Sequence, residues 1–496
     1  MKPWHKKSIS LLLLAAMLTA SSAVFSACGD SASSEESNTV SIPPVKSESA
    51  PEDLFPYQEG TYDGASFDFM VLRSNYYGQD YNDIWVEEDT AEGLEAAVYL
   101  RNLQVEEQHN ITIHAKSSDN PTNVIPNLVL SGDATYDAIQ EKLVMMMGTL
   151  VVQGYLYNLR EIDTMYLAAP WYDANVIDSA SIDGQLYFFG GDIEVSDKMG
   201  LAVIAFNKEL AADHQIPNLY EMVQNGEWTL DKLHSFSSIA TVDLNGDGKH
   251  EKNDQWGLIA EDFFGWFFLI SSGNAIAFKD ADDIPYLAVY TEKAVNDLET
   301  IMNLMYDDQA RSGHGYLAED YTNIFSENRA LFHANVLSSI TLLREMEASF
   351  GIIPIPKYDT AQSEYITTFS SFVSRYIAVP SINADLNMTG VILDAMSRTG
   401  DVAEAYYDIV LTGRTIRDEE SSVMLDIIFD SIFCDIGSIY NWNNVWFMYQ
   451  KFFDSGSRDF TSTWKGVEKG AQTAMETTIQ YFKDSKNASV ATTEGE

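Results

Sequence analysis

The sequence predicts an α/β protein of two domains with largely parallel sheets. Short runs of aliphatic, aromatic and β-branched residues alternate with segments of helical spacing, the pattern of strand–helix–strand units. At 496 residues the chain is too long for a single core. Its hydrophobic content of 46%, with 12% aromatics, is that of a folded globular protein and excludes a disordered one.

The amino-terminal segment stands apart from that pattern. Lys2, Lys6 and Lys7 precede an apolar run from Leu11 to Leu18, too short for a stable membrane span. The stretch Phe25-Ser26-Ala27-Cys28 follows, with small residues directly before a cysteine. It resembles the lipobox of bacterial lipoproteins, with Phe25 in place of the usual leucine. That resemblance implies a signal peptide over residues 1–27 and a lipid such as palmitate on Cys28. The alternative is an ordinary secretory signal with a chance cysteine. On the lipoprotein reading the protein is held at the extracellular face of the bacterial cell membrane. No later stretch has the ~18 consecutive apolar residues of a spanning helix. Of the two cysteines, Cys434 then has no partner for a disulfide.

Residues 28–64 are rich in Ser, Glu and Pro and read as a disordered tether. Strands are expected at Phe67–Leu72, Ile111–Ile113 and Tyr136–Ile139, with a helix from about Thr90 to Glu107 carrying Ala91, Leu94 and Val98 on one face. Leu186–Phe189, Leu201–Phe206, Trp256–Ile259, Ala330–Phe332 and Gly351–Pro354 read as further strands. Thr229 is the expected N-cap of a helix beginning at Leu230, its hydroxyl meeting a free backbone N–H. From about Asn387 the chain is mostly helical, and the last helix buries Val467, Ala471, Met475 and Phe482, with fraying after Lys486.

The formal charge of −44 repels nucleic acid and anionic lipid, and favours neutral or cationic ligands and divalent cations. One loop has the spacing such a cation needs. Asp243, Asn245, Asp247, the Lys249 carbonyl, Glu251 and Asp254 stand at loop positions 1, 3, 5, 7, 9 and 12, with Gly248 at the sharp turn. Oxygen donors at these positions resemble an EF-hand-like or dockerin-like calcium loop, with the shorter Asp254 in place of glutamate. The expected cofactor is a structural calcium ion. The alternative is a Gly/Asp/Asn turn without metal.

Patterns for catalysis are missing. None of the eight histidines makes a His-x-x-x-His or His-x-His zinc pair, and there is no Gly-x-Ser-x-Gly elbow or phosphate loop. Acid pairs such as Glu106-Glu107 are expected by chance among 74 acidic residues and read as solvated surface.

A family resemblance rests on several stretches in a fixed order. They include Ala97-Val98-Tyr99-Leu100-Arg101-Asn102, Tyr136-Asp137-Ala138-Ile139, Asp183-Gly184-Gln185-Leu186-Tyr187, Glu227-Trp228-Thr229-Leu230-Asp231, Gln255-Trp256-Gly257 and Phe350-Gly351-Ile352-Ile353-Pro354. In this order, behind a lipobox, they resemble the group 1 extracellular solute-binding lipoproteins of ABC importers, which take sugars and oligosaccharides, in particular the acidic clostridial type. The resemblance implies a type II periplasmic-binding-protein-like fold with two α/β lobes, a hinge and an interlobe cleft. Lobe 1 would span 65–190 plus about 325–400 and lobe 2 about 191–324, with helices 401–490 packing on lobe 2 and the hinge. The crossings would lie near Gly190 to Ser196 and Ile352 to Pro356. Ser74, Asn75, Tyr76, Glu141, Lys142, Asp192, Glu194, Trp266 and Asn335 would line the cleft.

The function so implied is a monomeric, membrane-anchored receptor. It captures a carbohydrate, an oligosaccharide above all, by lobe closure and hands it unaltered to the permease subunits of an ABC transporter. It is not an enzyme and has no nucleic-acid partner. The alternatives are a secreted calcium-dependent polysaccharide-degrading enzyme and a ligand-sensing partner of a membrane kinase.

Overall fold

A computed structural model describes residues 54–73, 82–87, 93–143, 147–316, 318–399, 401–407 and 419–493. The signal peptide, Cys28, most of the tether and Ser74, Asn75 and Tyr76 lie outside the described residues. Among the described residues no helix is long and apolar enough to cross a membrane.

The strands are β1 Ala65–Leu72, β2 Ile111–Ser118, β3 Ala138–Lys142, β4 Ala202–Asn207, β5 Trp256–Ile259, β6 Ala277–Lys279, β7 Pro285–Leu287, β8 Arg311–Ser312, β9 Ala330–Val336, β10 Phe350–Pro354 and β11 Arg375–Ala378. They form one sheet of order β11-β3-β1-β2, a second of order β10-β4-β9-β5-β8, and a β6-β7 hairpin. In the first sheet β1 pairs in parallel with β2 and β3, and β11 runs antiparallel to β3. Phe67 and Phe69 of β1 are buried, and so are Val98 and Val105 of the Leu94–His109 helix. That helix stops at Asn110, which takes the left-handed conformation (φ 48°) that Asn tolerates.

The second sheet is mixed, not largely parallel. β5 pairs in parallel with β8 and β9, while β4 is antiparallel to β9 and β10. The reason is the direction of entry: β4 begins where the chain arrives from the first lobe, and β9 ends there, Ala202 facing Val336. Thr229 caps the Leu230–Ala240 helix as expected, its side chain accepting from Lys232 N. Leu186–Phe189 forms no continuous strand; Phe189 makes a single bridge to Ile377.

Three boundaries are corrected. The tether does not run to residue 64. Tyr62 N donates to His109 O (2.9 Å), Arg398 donates to Phe55 O (2.8 Å), and the Phe55 ring meets Trp171 at 5.8 Å. Phe55, Tyr57 and Tyr62 give this part apolar surface that the Ser-rich part lacks. Residues from about 325 do not return to lobe 1, because β9 and β10 complete the second sheet. The second crossing therefore lies near 368–376, and Pro354 sits inside β10. The last helix, Glu468–Thr493, continues past Lys486, whose ammonium reaches the Asp183 carboxylate at 2.6 Å.

The two crossings run side by side. Phe189 and Ile377 exchange both backbone hydrogen bonds (2.9 Å each) at the first-sheet end. Ala202 N donates to Thr368 O (2.9 Å) and Ser370 N to Gly200 O (2.8 Å) at the other. A Cβ on Gly200 would lie 2.9 Å from Ser370 O, so the close approach of these segments requires glycine there. The carboxy-terminal helices reach the second lobe and also the first. Gln185 Nε2 donates to Phe482 O (2.8 Å), and Asp435 accepts from Ile276 N and Ala277 N at 3.2 and 3.3 Å.

The first crossing is lined with buried acids. Glu194 accepts from Gln140 Nε2 (2.6 Å) and Ser196 Oγ (3.1 Å); Asp197 accepts from Gly191 N (3.1 Å) and Lys198 Nζ (2.8 Å). One carboxylate oxygen of each has no hydrogen-bond partner. Burial raises both above the usual carboxylate range; at Glu194 the charges of Asp197 and Asp83 add to it, and at Asp197 Lys198 opposes it. A carboxyl whose folded pKa is raised stabilises the fold below its unfolded pKa, and this is lost as pH rises through the folded value. Glu194→Gln should therefore match the wild type near pH 4 and exceed it at pH 8, by on the order of 1 kcal/mol. Thermal unfolding across that range checks this; parallel curves for the two proteins would show that Glu194 is not the titrating group.

Candidate functional site

In open α/β sheets, ligands gather at the carboxyl ends of the strands. Two cavities occupy that position here, one per lobe. The first, of about 390 Å³, lies beyond Leu72 of β1, Ser117 of β2 and Gln140 of β3, with Arg73, Trp85 and Arg375 on its walls. Its outer wall, residues 82–87, is held by Arg101, fully buried in the Leu94–His109 helix. The guanidinium donates to Ile84 O (2.7 Å) and to Ile193 O (2.6 Å). It thereby ties that wall to the first crossing. Asp83 reinforces the tie by accepting from Val195 N and Ser196 N at 3.1 and 2.9 Å.

The second cavity, of about 180 Å³, lies beyond β5 and β9. Glu261 follows β5, Asn335 closes β9, Phe372 belongs to the second crossing, and Trp446 and Gln450 come from the Val445–Ser455 helix. Its wall is aromatic: Phe263 and Phe372 lie against Trp446, with ring centroids at 4.5 and 4.8 Å. Phe263 and Phe372 are half-buried, so part of each ring remains open. Asn335 Oδ1 accepts from Val336 N (2.8 Å), and behind it His333 is held neutral, burial pushing its pKa down to about 3. The second crossing joins the cavities, with Val373 lining one and Arg375 the other. Open aromatic faces suit the C–H faces of a sugar ring, and the amide, carboxylate and guanidinium groups suit its hydroxyls.

Among the expected cleft residues, Asn335 lines the second cavity. Trp266 does not: it is 2% exposed, and its ring packs on Tyr449 at 4.8 Å because the Gly265–Ser271 helix is apolar all round and buried. Glu141, 1% exposed, accepts from the backbone N and hydroxyl of Thr122 and anchors the Pro121–Ser131 helix. Lys142 pairs with Arg375 in sheet register and lies beside the cavity, not on its wall. Glu194 is buried within the crossing, and Asp192 is half-buried there, its pKa raised to about 6 by burial against the opposing charge of Lys198. Arg73, Gln140, Glu261 and Phe372 were not anticipated. The carboxyl-end rule applied to the strands ending at Leu72 and Ile259 would have found Arg73 and Glu261.

The loop 243–254 folds as a closed turn, Val242 and Gln255 bonding each other at its base (2.9 and 3.1 Å). Asp243 accepts from Gly246 N and Gly248 N (2.7 Å each), which lowers its pKa, Gly248 contributing most. Asp247 accepts from Lys249 N (2.9 Å), and buried Asp254 from Leu244 N (3.0 Å) and Glu251 N (2.8 Å). Among the described residues no three His, Cys, Asp or Glu side chains converge as metal ligands. The backbone course and the oxygen donors suit calcium; a closed cage is not formed. Each carboxylate oxygen that accepts one N–H keeps a second lone pair for an ion.

No family model matches the chain, and no curated protein matches it. Solved structures do. A cyclo/maltodextrin-binding protein complexed with maltotetraose aligns at TM-score 0.54 and 11% identity, over 84% of this chain and 97% of the other. The apo form of RafE from Streptococcus pneumoniae aligns at TM-score 0.53 and 11% identity, over 86% and 99%. The maltose/maltodextrin-binding domain MalE from Bdellovibrio bacteriovorus, bound to maltotriose, aligns at TM-score 0.51 and 16% identity, over 84% and 100%. With two α/β lobes joined by paired crossings, the chain has the periplasmic-binding-protein-like fold of these substrate-binding proteins.

Proposed function

We propose that this protein captures a carbohydrate between its lobes and releases it unaltered to an ABC importer. The observation that carries the reading is the placement of the two cavities. Each lies at the carboxyl ends of one lobe's strands, and they share the second crossing. A ligand lying across that crossing touches both lobes and favours the arrangement in which both walls contact it. The aromatic wall of the second cavity and the polar wall of the first fit a chain of sugar rings, hence an oligosaccharide. Solved proteins of this fold hold maltotetraose and maltotriose, which supports the ligand class. The lipid on Cys28, the extracellular location, the monomeric state and delivery to permease subunits complete the proposal. They rest on the sequence resemblance.

The reading is tested by melting the protein with a panel of oligosaccharides. A bound sugar at a hundred times its Kd should raise stability by about 2.7 kcal/mol and be recovered intact. Phe372→Ala should weaken binding roughly tenfold, the scale of one lost aromatic contact, with the free protein still folded. Cleavage of a sugar, or no shift with any of them, would sink the reading.

We propose in addition that the 243–254 loop holds a structural calcium ion through Asp243, Asn245, Asp247, the Lys249 carbonyl, Glu251 and Asp254. Chelation should lower the melting temperature and added calcium restore it. Asp247→Asn, at an exposed position, should blunt both effects; equal melting with chelator and with calcium would return the loop to a plain turn.

A further inference from the structure

We propose that the second-lobe cavity selects a sugar unit carrying a protonated amine, and that Glu261 is the residue that reads its charge. The proposal rests on the carbohydrate reading and adds a chemical class to it.

Glu261 is the one ionisable residue among the described residues lining this cavity, which include no Lys, Arg or His. Among the described residues its carboxylate has no hydrogen bond and no ion pair. The nearest charges are of the same sign: Asp262 beside it and Asp454 from the Val445–Ser455 helix. The basic groups nearby serve other partners. Arg311 pairs with Asp262 (2.8 Å) and donates to Met305 O (2.6 Å) and Ala260 O (2.5 Å), and His314 also pairs with Asp262 (2.7 Å). A carboxylate open to a cavity, unpaired and facing further acids, lacks a cation.

The rest of the wall suits the same group. Phe263, Phe372 and Trp446 cluster there, and aromatic faces attract an ammonium as well as a sugar's C–H face. An ammonium would give Glu261 an ion pair in addition to the hydrogen bond, whereas a hydroxyl supplies the hydrogen bond alone. A uronic acid unit would set a second carboxylate against it in a partly desolvated site, where repulsion exceeds its value in water. The first cavity, with Arg73 and Arg375 as well as acids on its walls, has no such one-sided charge.

The groups facing Glu261 also set its response to pH. Partial desolvation, then Asp454 and Asp262, raise its pKa; the Tyr321 hydroxyl lies in the same field, and Arg311 and His314 stand behind Asp262. Glu261 thus takes up a proton at a higher pH than an ordinary glutamate, and the attraction for an amine fades as pH falls through that range.

Calorimetry with three tetrasaccharides tests this: fully deacetylated chitotetraose, cellotetraose and tetragalacturonate, at pH 6.5 and low salt. The amine should bind at least roughly tenfold tighter than the neutral sugar and the acid weakest of the three. At about pH 5.5 and below the sugar's amines are all charged, so loss of the amine's advantage as pH falls further reports protonation of Glu261, and it should set in above the pH that neutralises an ordinary glutamate, with pKa about 4.3. Glu261→Gln should erase the advantage, bringing the amine and cellotetraose to within about threefold of each other, and Glu261→Asp should keep part of it; a melting curve confirms that each variant folds. Equal affinities, or an advantage that survives in Glu261→Gln, would overturn this proposal and leave the carbohydrate reading standing. Failure of every sugar, here and in the wider panel, would overturn both.

Discussion

The pairing of the two crossing segments is the constraint on which the rest of the molecule depends. Phe189 with Ile377 and Gly200 with Ser370 bond the two passages to each other at both ends. β11 continues the second passage and pairs with β3, while β4 continues the first and pairs with β9. Arg101 and Asp83 then fasten the outer wall of the first cavity to the first passage, and Phe372 places the second passage in the wall of the second cavity. The cavities are therefore positioned by a few backbone contacts between segments 170 to 188 residues apart in sequence. The close approach of Gly200 to Ser370 leaves no room for any other residue, so the geometry at that end is steric as well as hydrogen-bonded.

The elements that could be read from the sequence are those whose information is local. The strand at Phe67–Leu72, the Thr229 cap and the strand at Trp256 each declare themselves by short-range pattern, and each is present. What could not be read was which sheet a strand joins. β9 and β10 have the same buried, aliphatic composition as the first-lobe strands, and only their antiparallel pairing with β4 assigns them to the second lobe. The same limit governs the site. Trp446 and Gln450 enter it from a helix more than 180 residues after β5, with no local mark to separate them from core residues. Trp266 carries the residue type expected of a sugar platform, yet it faces Tyr449, because a short helix buried on all sides offers no outward face for it.

Charge acts at two scales here. The overall excess of acid, −44, is mostly a solvated surface and directs approach. At the crossing and at the rim of the second cavity the same residue types do different things, because neighbours and solvent differ. Glu194 is sealed among Asp83, Asp197 and Gln140, so its charge is a cost to the fold. Glu261 stays open to the cavity, so its unmet charge is available to a ligand. Counting acids does not separate these cases, whereas their partners do.

The carboxy-terminal layer limits how the lobes can move. The first-lobe turn at 181–184 is bonded to the β6-β7 hairpin of the second lobe: Ser181 Oγ and Gly184 N donate to the Asp283 carboxylate (3.0 and 2.9 Å), and Asp183 N to Asp283 O (3.0 Å). The last helix ties down the same turn through Gln185 and Lys486, while Asp435 holds β6 from the other side. Each of these bonds is worth about 1 kcal/mol net, so parting them all would consume most of the roughly 8 kcal/mol that a micromolar ligand returns. Closure that keeps them must turn about an axis through this layer and the paired crossings. The greatest travel then falls at the cavity walls farthest from that axis, and the short crossings absorb the change in backbone angles. On the proposed reading of capture by closure, a third attachment beside the hinge does not oppose binding. It selects one rotation out of many, and so fixes which walls meet around the ligand.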